Sequence, residues 1–257
     1  MLLLNIHHEK FDAVVSSRGA QILSWKPKNQ DDVFWSCDEK FYKNSNAIRA
    51  GIPICWPWFG TKNGISHGFA RNAIWNLDKY EEFEEFVLII FTLNPSEHSN
   101  EFAHDFKATM TLTIGQKCLI EFEALTHNET QIALHSYFRV GDIENIEING
   151  LGASCYDKLQ DNKYISNIPT KIVVNDAVDR IFDNPKNSIS IVDKSFGREI
   201  NIKHFGATDA ILWNPWSDGV KKIKDMHAGD YQKMVCVENG CVTKNFGGKI
   251  AVEISIV

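Results

Sequence analysis

Two short apolar segments of this chain each carry one group able to move a proton. In Ile132-Ala-Leu-His-Ser-Tyr-Phe-Arg-Val140, strand alternation puts Ile132, Leu134, Ser136, Phe138 and Val140 on one face and Ala133, His135, Tyr137 and Arg139 on the other. The first set reads as a core face. The second presents three hydrogen-bonding groups, which suits the floor of a polar cleft. In Lys233-Met-Val-Cys-Val-Glu-Asn-Gly240, Met234, Cys236 and Glu238 share a face. A carboxylate set beside Met and Cys loses hydration, and desolvation raises its pKa toward neutrality, where a general base works best. The same residues would also suit a structural strand histidine and an edge-strand glutamate reaching solvent before Asn239-Gly240.

Two further segments could hold an anion. Ile48-Arg-Ala-Gly-Ile-Pro-Ile-Cys-Trp-Pro-Trp-Phe-Gly60 has Pro53, Pro57, Gly51 and Gly60 fixing an irregular backbone around Arg49 and the rings of Trp56, Trp58 and Phe59. Flat aromatics bury the apolar faces of sugars or bases while polar groups read their edges; a proline-rich core loop would use the same residues. Ser66-His-Gly-Phe-Ala-Arg-Asn72 adds His67 and Arg71. A pair of arginines in one Gly/Pro-rich region of an acidic chain is what a dianion site needs, because the guanidinium fork matches phosphate oxygens and keeps its charge when partly buried.

Other chemistries leave no trace. There is no Gly-x-x-x-x-Gly-Lys-Ser/Thr, no Gly-x-Gly-x-x-Gly, no His-Glu-x-x-His and no Gly-x-Ser-x-Gly. The nine histidines do not fall at metal-ligand spacing. No metal and no cofactor are expected.

The elements that must position these groups are strands. Phe106–Ile114 and Cys118–Leu125 alternate on either side of a short Gly115-Gln-Lys connection, a hairpin pattern. Similar runs are Phe11–Val15, Ala20–Trp25, Glu85–Leu93, Ile132–Val140, Lys171–Val174, Ser188–Val192, Glu199–His204, Ala210–Trp213, Lys233–Glu238 and Lys249–Val257. Short strands every ~8–12 residues without long amphipathic helices predict an all-β chain, a large antiparallel β-sandwich or barrel. The long stretch of roughly 26–80, rich in Trp, Pro, Gly and Arg, reads as a functional loop region. A shorter irregular stretch covers 214–231.

At 257 residues the whole chain, 1–257, is expected to be one domain. With Lys+Arg 27 against Asp+Glu 33, the net charge of −6 gives no general attraction for nucleic acid or an anionic membrane. The longest apolar run, Phe86-Val-Leu-Ile-Ile-Phe91, is far short of the ~20 residues that span a bilayer. The start shows no basic segment and no cleavage site, so no signal peptide is read. The six cysteines include no Cys-x-x-Cys pair, which fits free thiols in a reducing, cytoplasmic setting.

Read in order, Arg49-x-Gly-Ile-Pro-Ile-Cys-Trp-Pro-Trp-Phe-Gly60, His67-Gly-Phe-Ala-Arg71 with Trp75, Leu134-His135-x-Tyr-Phe-Arg-Val140, Asp179-Arg-Ile-Phe182, Trp213-Asn-Pro215 and Val235-Cys-Val-Glu-x-Gly240 resemble the hexose-6-phosphate mutarotases of the aldose 1-epimerase group. The resemblance implies that group's fold, a galactose mutarotase-like β-supersandwich. It implies an isomerase that interconverts the α and β anomers of a sugar phosphate, glucose 6-phosphate first among candidates. His135 and Glu238 match the catalytic positions, with protonated His135 as acid and Glu238 as base. Arg49, Arg71 and Asp179 match substrate contacts, and His67 is counted with them. Trp56, Trp58 and Trp216 are candidates for sugar stacking. Ser66 stands where some relatives have Gln, and that contact is not carried over. Asn239 stands where Pro is frequent, and it also suits a turn. The expected partner is a small-molecule sugar phosphate bound by a monomer. The alternatives are an epimerase for unphosphorylated aldoses and a non-catalytic carbohydrate-binding module.

Overall fold

A computed structural model describes residues 1–42, 47–95, 102 and 105–257. Four positions of the loop region expected over 26–80, residues 43–46, lie outside it. Among the described residues the paired strands are all antiparallel, as expected of an antiparallel β-sandwich, and they form two large sheets and two small ones. The nine-stranded sheet runs in the order Lys171–Ile172, Ile146–Asn149, Ser188–Asp193, Arg198–Phe205, Lys249–Ile256, Cys118–Thr126, Phe106–Gly115, Phe86–Leu93 and Asn76–Glu82. The second large sheet runs Lys163–Ser166, Ser154–Asp157, Val178–Asp183, Asp209–Asn214, Met234–Cys241, Ile132–Leu134 and Ile54–Cys55, with Tyr137–Arg139 also paired to Met234–Cys241. Leu3–His8, Phe11–Ser16 and Gln21–Pro27 make a three-stranded sheet. Thr61–Lys62 and Ile65–Ser66 pair as a short hairpin.

Alternation explains which sides meet. Val87, Ile89 and Phe91 on one strand, and Ala108, Met110, Leu112 and Ile114 on the next, are buried in one apolar cluster. Leu134, Phe138, Phe182, Leu212, Val235 and Val237 from the second large sheet belong to the same cluster. Each fully buried side chain of this size contributes about 1.5–3 kcal/mol. The opposite face of the second sheet is therefore left for chemistry. Among the described residues no helix is long and apolar enough to cross a membrane. All six cysteines are buried as free thiols.

Several short strands escape the sequence reading: Leu3–His8, Asn76–Glu82, Ile146–Asn149, Ser154–Asp157, Lys163–Ser166 and Val178–Asp183. Polar or charged residues interrupt or cut short their apolar pattern. Asn239 is a correction of a different kind. It sits inside a strand rather than in a turn, opposite Ala210 on one side and Leu134 on the other. It is fully buried, and both polar atoms of its side chain lack a partner.

A buried carboxylate ties the edge of the chemical face together. Asp209 accepts from the Val242 N–H at 2.8 Å, the Thr243 N–H at 3.0 Å, the Thr243 hydroxyl at 2.6 Å and the Thr208 hydroxyl at 3.0 Å. Each buried donor left without a partner costs about 1–3 kcal/mol. Asp209→Ala orphans the buried Val242 N–H and should lower stability by about 1–3 kcal/mol. Thermal denaturation reads this as a clear drop in Tm, and an unchanged Tm would contradict it.

Candidate active site

Strand Met234–Cys241 lies between the two partners that complete the site. On one side Tyr137 stands opposite Cys236 and Leu134 opposite Asn239. The register is therefore unbroken across the intervening residues, and it sets His135 opposite Glu238. On the other side Ile211 faces Glu238 and Trp213 faces Cys236, and Asp179 in turn faces Trp213. Directly opposed residues share a face. Tyr137, Cys236, Trp213 and Asp179 thus form one row across four strands, and His135, Glu238 and Ile211 form the next. The faces read from alternation in the sequence hold.

The expected strand Ile132–Val140 is broken at its centre into Ile132–Leu134 and Tyr137–Arg139. Neighbours explain the break. The His135 N–H donates to the Pro53 carbonyl at 2.9 Å, the Ser136 N–H to Leu134 at 2.9 Å and the Tyr137 N–H to Gly51 at 2.8 Å. The Arg49 segment thus runs alongside the His135 strand and brings two distant motifs together. Gly51 has φ +50, and a Cβ there would lie 1.9 Å from the Ile22 carbonyl oxygen. Only glycine fits so close an approach.

His135 Nδ1 lies 3.3 Å from Glu238 Oε1, and the side chains are 10% and 1% exposed. The contact is close but not aligned as a hydrogen bond: His135 Nδ1 and Glu238 Oε2 are both buried without a hydrogen-bond partner. Tyr137 stacks flat on the imidazole, ring centres 4.7 Å apart and planes 2° from parallel, and Trp213 meets it edge-on at 6.3 Å. Burial is the largest influence on both groups. It pushes the His135 imidazole well below its ordinary pKa, helped by His67, Arg71 and Arg49. It pushes Glu238 well above the carboxylate range, with Asp179 adding to the rise and Lys158 and Arg71 opposing it. In both groups burial disfavours the charged form.

His67 belongs to this site. Its ring lies 5.8 Å from that of His135 and 4.7 Å from Phe59. Its Nδ1 accepts from the Gly60 N–H at 3.3 Å, which assigns the proton to Nε2. Burial first, then the cations Arg71, Lys158 and Arg49, pull its pKa down to about 3, so it stays a neutral donor.

Arg49 and Arg71 differ. Arg49 is held by Asp225 at 3.1 Å and donates to the Tyr137 hydroxyl at 2.7 Å. Arg71 donates to the Ser66 carbonyl at 2.8 Å, while its Nε is buried with no partner. Asp179 is paired with Lys158 at 3.0 Å, and the Lys158 ammonium also lies 5.5 Å from the centre of the Phe59 ring. Lys158, Asp225 and Trp213 are the neighbours the sequence reading missed, whereas Phe59 was among the rings of its aromatic loop. Trp213 was within reach, since it stands in a quoted motif; Lys158 and Asp225 lie outside all the quoted motifs.

The three tryptophans proposed for stacking do not meet the pair. Trp56 is fully buried in the core among Phe69, Phe102, Phe106 and Phe122. It continues the inward parity of Ile54. The Trp58 Nε1–H donates to the Ile65 carbonyl at 3.1 Å, and its ring meets the edge of Phe69. Trp216 packs on Tyr231 with ring centres 5.2 Å apart. Among the described residues none of the three has a ring contact with His135, Tyr137 or Trp213.

A family profile described as aldose 1-epimerase matches residues 2–250. The chain is 36% identical over 242 residues to an Escherichia coli protein provisionally named glucose-6-phosphate 1-epimerase, covering 92% of this chain and 82% of that one. A Haemophilus influenzae protein with the same provisional name is 36% identical over 242 residues, covering 93% and 85%. The crystal structure of a protein provisionally called a mutarotase from Salmonella typhimurium superposes with a TM-score of 0.95 at 34% identity, covering 99% of this chain and 90% of that one.

Proposed function

The chain belongs to the aldose 1-epimerase family of isomerases, and from that premise we propose that it interconverts the α and β anomers of a hexose 6-phosphate, glucose 6-phosphate first. The observation that carries the reading is the buried pair His135 and Glu238, facing each other at 3.3 Å with one nitrogen and one oxygen unpartnered. A site of this kind waits for the hydroxyl and ring oxygen of a sugar.

Ring opening takes the proton from O1 and gives one to O5. With one proton on the pair, Glu238 serves as base and His135 as acid, provided the proton first passes from Glu238 to the imidazole across the Nδ1–Oε1 contact. Opening then leaves Glu238 protonated and His135 neutral. Those are also the neutral forms that burial favours in both groups. The pair is thus preset for the open-chain sugar. Closure on the other face of C1, after rotation about C1–C2, runs the same transfers in reverse. His67 Nε2–H and Asp179 would orient ring hydroxyls, and Arg71 would meet the phosphate.

One specific observation favours a second reading, an epimerase for unphosphorylated aldoses: Arg49 is already engaged by Asp225 and Tyr137. Magnetisation-exchange NMR on the anomeric protons of glucose 6-phosphate, with glucose alongside, separates the two. Faster exchange for the phosphorylated sugar is the expected result. Equal exchange for both would favour the second reading, and exchange for neither would leave a binding module.

A further inference from the structure

Cys236 has no place in the proton transfers above. It is fully buried next along the face from Glu238, and its thiol is free. One donor atom each from His135, Cys236 and Glu238 lie within 4.8 Å of one another, and all three residues are buried. Two of these residues bring unpartnered polar atoms, His135 Nδ1 and Glu238 Oε2. We propose that this triad is a binding site for a single zinc-like divalent cation, and that the ion, once seated, excludes the sugar and switches the site off.

The donor set selects the ion. An imidazole nitrogen, a thiolate and one carboxylate oxygen suit borderline-soft cations such as zinc, cobalt or cadmium, and disfavour magnesium and calcium, which take oxygen ligands. Zinc bonds of ~2.0–2.3 Å in a tetrahedron hold donors roughly 3.3–3.6 Å apart, so the empty cluster must close by about an ångström at its widest. Side-chain rotation supplies that, since the His135–Glu238 contact is already 3.3 Å.

Charge balance supports the exchange. The ion takes Cys236 as thiolate, Glu238 as carboxylate and His135 as neutral imidazole, and any thiol or carboxyl proton leaves as it enters. The filled cluster, a dication with a thiolate and a carboxylate, carries no net charge, which a buried site requires. Of the cations around it, Arg49 is countered by Asp225 and Lys158 by Asp179; Arg71 alone of these three opposes the ion. The three ligands leave a fourth position for water, in the space where the sugar hydroxyl would otherwise reach His135 and Glu238. The inhibitory half of the proposal rests on the anomer-exchange reading; the binding half does not.

The test uses the full chain with cobalt and zinc. Wild-type protein titrated with Co2+ should take up one ion and develop a thiolate-to-cobalt charge-transfer band in the near ultraviolet. Zn2+ should displace that ion and raise the KM for glucose 6-phosphate with kcat unchanged, while Mg2+ does neither. Cys236→Ala should abolish the band and weaken zinc inhibition by at least ~10-fold, the lower end of what losing even an outer partner costs a metal site. Cys236→Ser gives the same comparison if the smaller side chain unsettles the fold. Absence of the band in wild type, or a band that survives Cys236→Ala, overturns the site. A band without competitive inhibition overturns the switch. If wild type exchanges no anomers at all, the activity reading fails while the cobalt band still decides the metal site.

Discussion

Glu238→Gln should lower the rate of anomer exchange by at least ~10²-fold while leaving the protein as stable as wild type, because general acid–base catalysis supplies ~10²–10⁴-fold. The separation of activity from stability follows from the protonation state. Burial raises the Glu238 pKa and so favours the neutral carboxyl, and an amide is nearly isosteric with a neutral carboxylic acid. Gln therefore replaces the neutral form without stranding a charge, yet it cannot accept the O1 proton. His135→Ala should lose a similar factor, and the double variant little more than either single one, since the two residues act on one shared proton. Exchange by magnetisation-transfer NMR and a thermal melt on each variant give both readouts. Full activity in either single variant would remove the pair from the mechanism.

The same pair fixes the pH dependence. The active form holds one proton. A second proton is added only as pH falls through the His135 pKa, which burial has lowered well below 6.5. The single proton is lost only as pH rises through the Glu238 pKa, which burial, with Asp179, has raised well above 4.5 against Lys158 and Arg71. Lowering one limit and raising the other widens the active window. The value of kcat/KM should therefore vary less steeply above pH 7 than an acid–base pair of ordinary pKa allows, clear of the ~6 at which a sugar phosphate itself titrates. An imidazolium of ordinary pKa would instead give a fall of about tenfold per pH unit over that range.

Much of this site was legible because strands have a period of two. Val235 and Val237 point inward and Cys236 and Glu238 outward whatever the tertiary structure does, and the same holds for Leu134 and His135. Period two could not say which strand lies beside which. Trp213 became a neighbour of His135 only through the pairing of Ile211 with Glu238 and of Trp213 with Cys236. Lys158 follows a strand of alternating burial that its own sequence hardly marks, Ser154–Asp157, and Asp225 reaches Arg49 from the irregular stretch before Met234. Their roles are non-local charge pairs, for which a single sequence has no local signal. Trp56 misled for the opposite reason. Its aromatic, Pro-flanked setting suggested an exposed platform, but it extends the inward parity of Ile54 into a cage of phenylalanines.

Arg71 should be the residue that separates phosphorylated from free sugar. Its Nε is buried and unpartnered, and its guanidinium donates to the neutral Ser66 carbonyl. A phosphate oxygen would supply the missing acceptor, and a hydrogen bond to a charged group is worth about 1.5–3 kcal/mol. Arg71→Ala should therefore cut kcat/KM for glucose 6-phosphate by roughly 10- to 100-fold, with 1.36 kcal/mol corresponding to about tenfold. The loss should appear in KM, because the phosphate is remote from C1 and is bound alike in ground and transition states. Exchange on glucose should hardly change. Arg71→Lys should recover part of the loss, since the ammonium keeps the charge but not the fork. Arg49→Lys is the informative contrast. Arg49 already spends its donors on Asp225 and the Tyr137 hydroxyl, so its replacement should loosen Tyr137, on which the His135 ring is stacked. That change should lower kcat for both sugars. If Arg71→Ala instead slows glucose and glucose 6-phosphate equally, Arg71 acts on the proton-transfer pair through its field, and the phosphate must be held elsewhere.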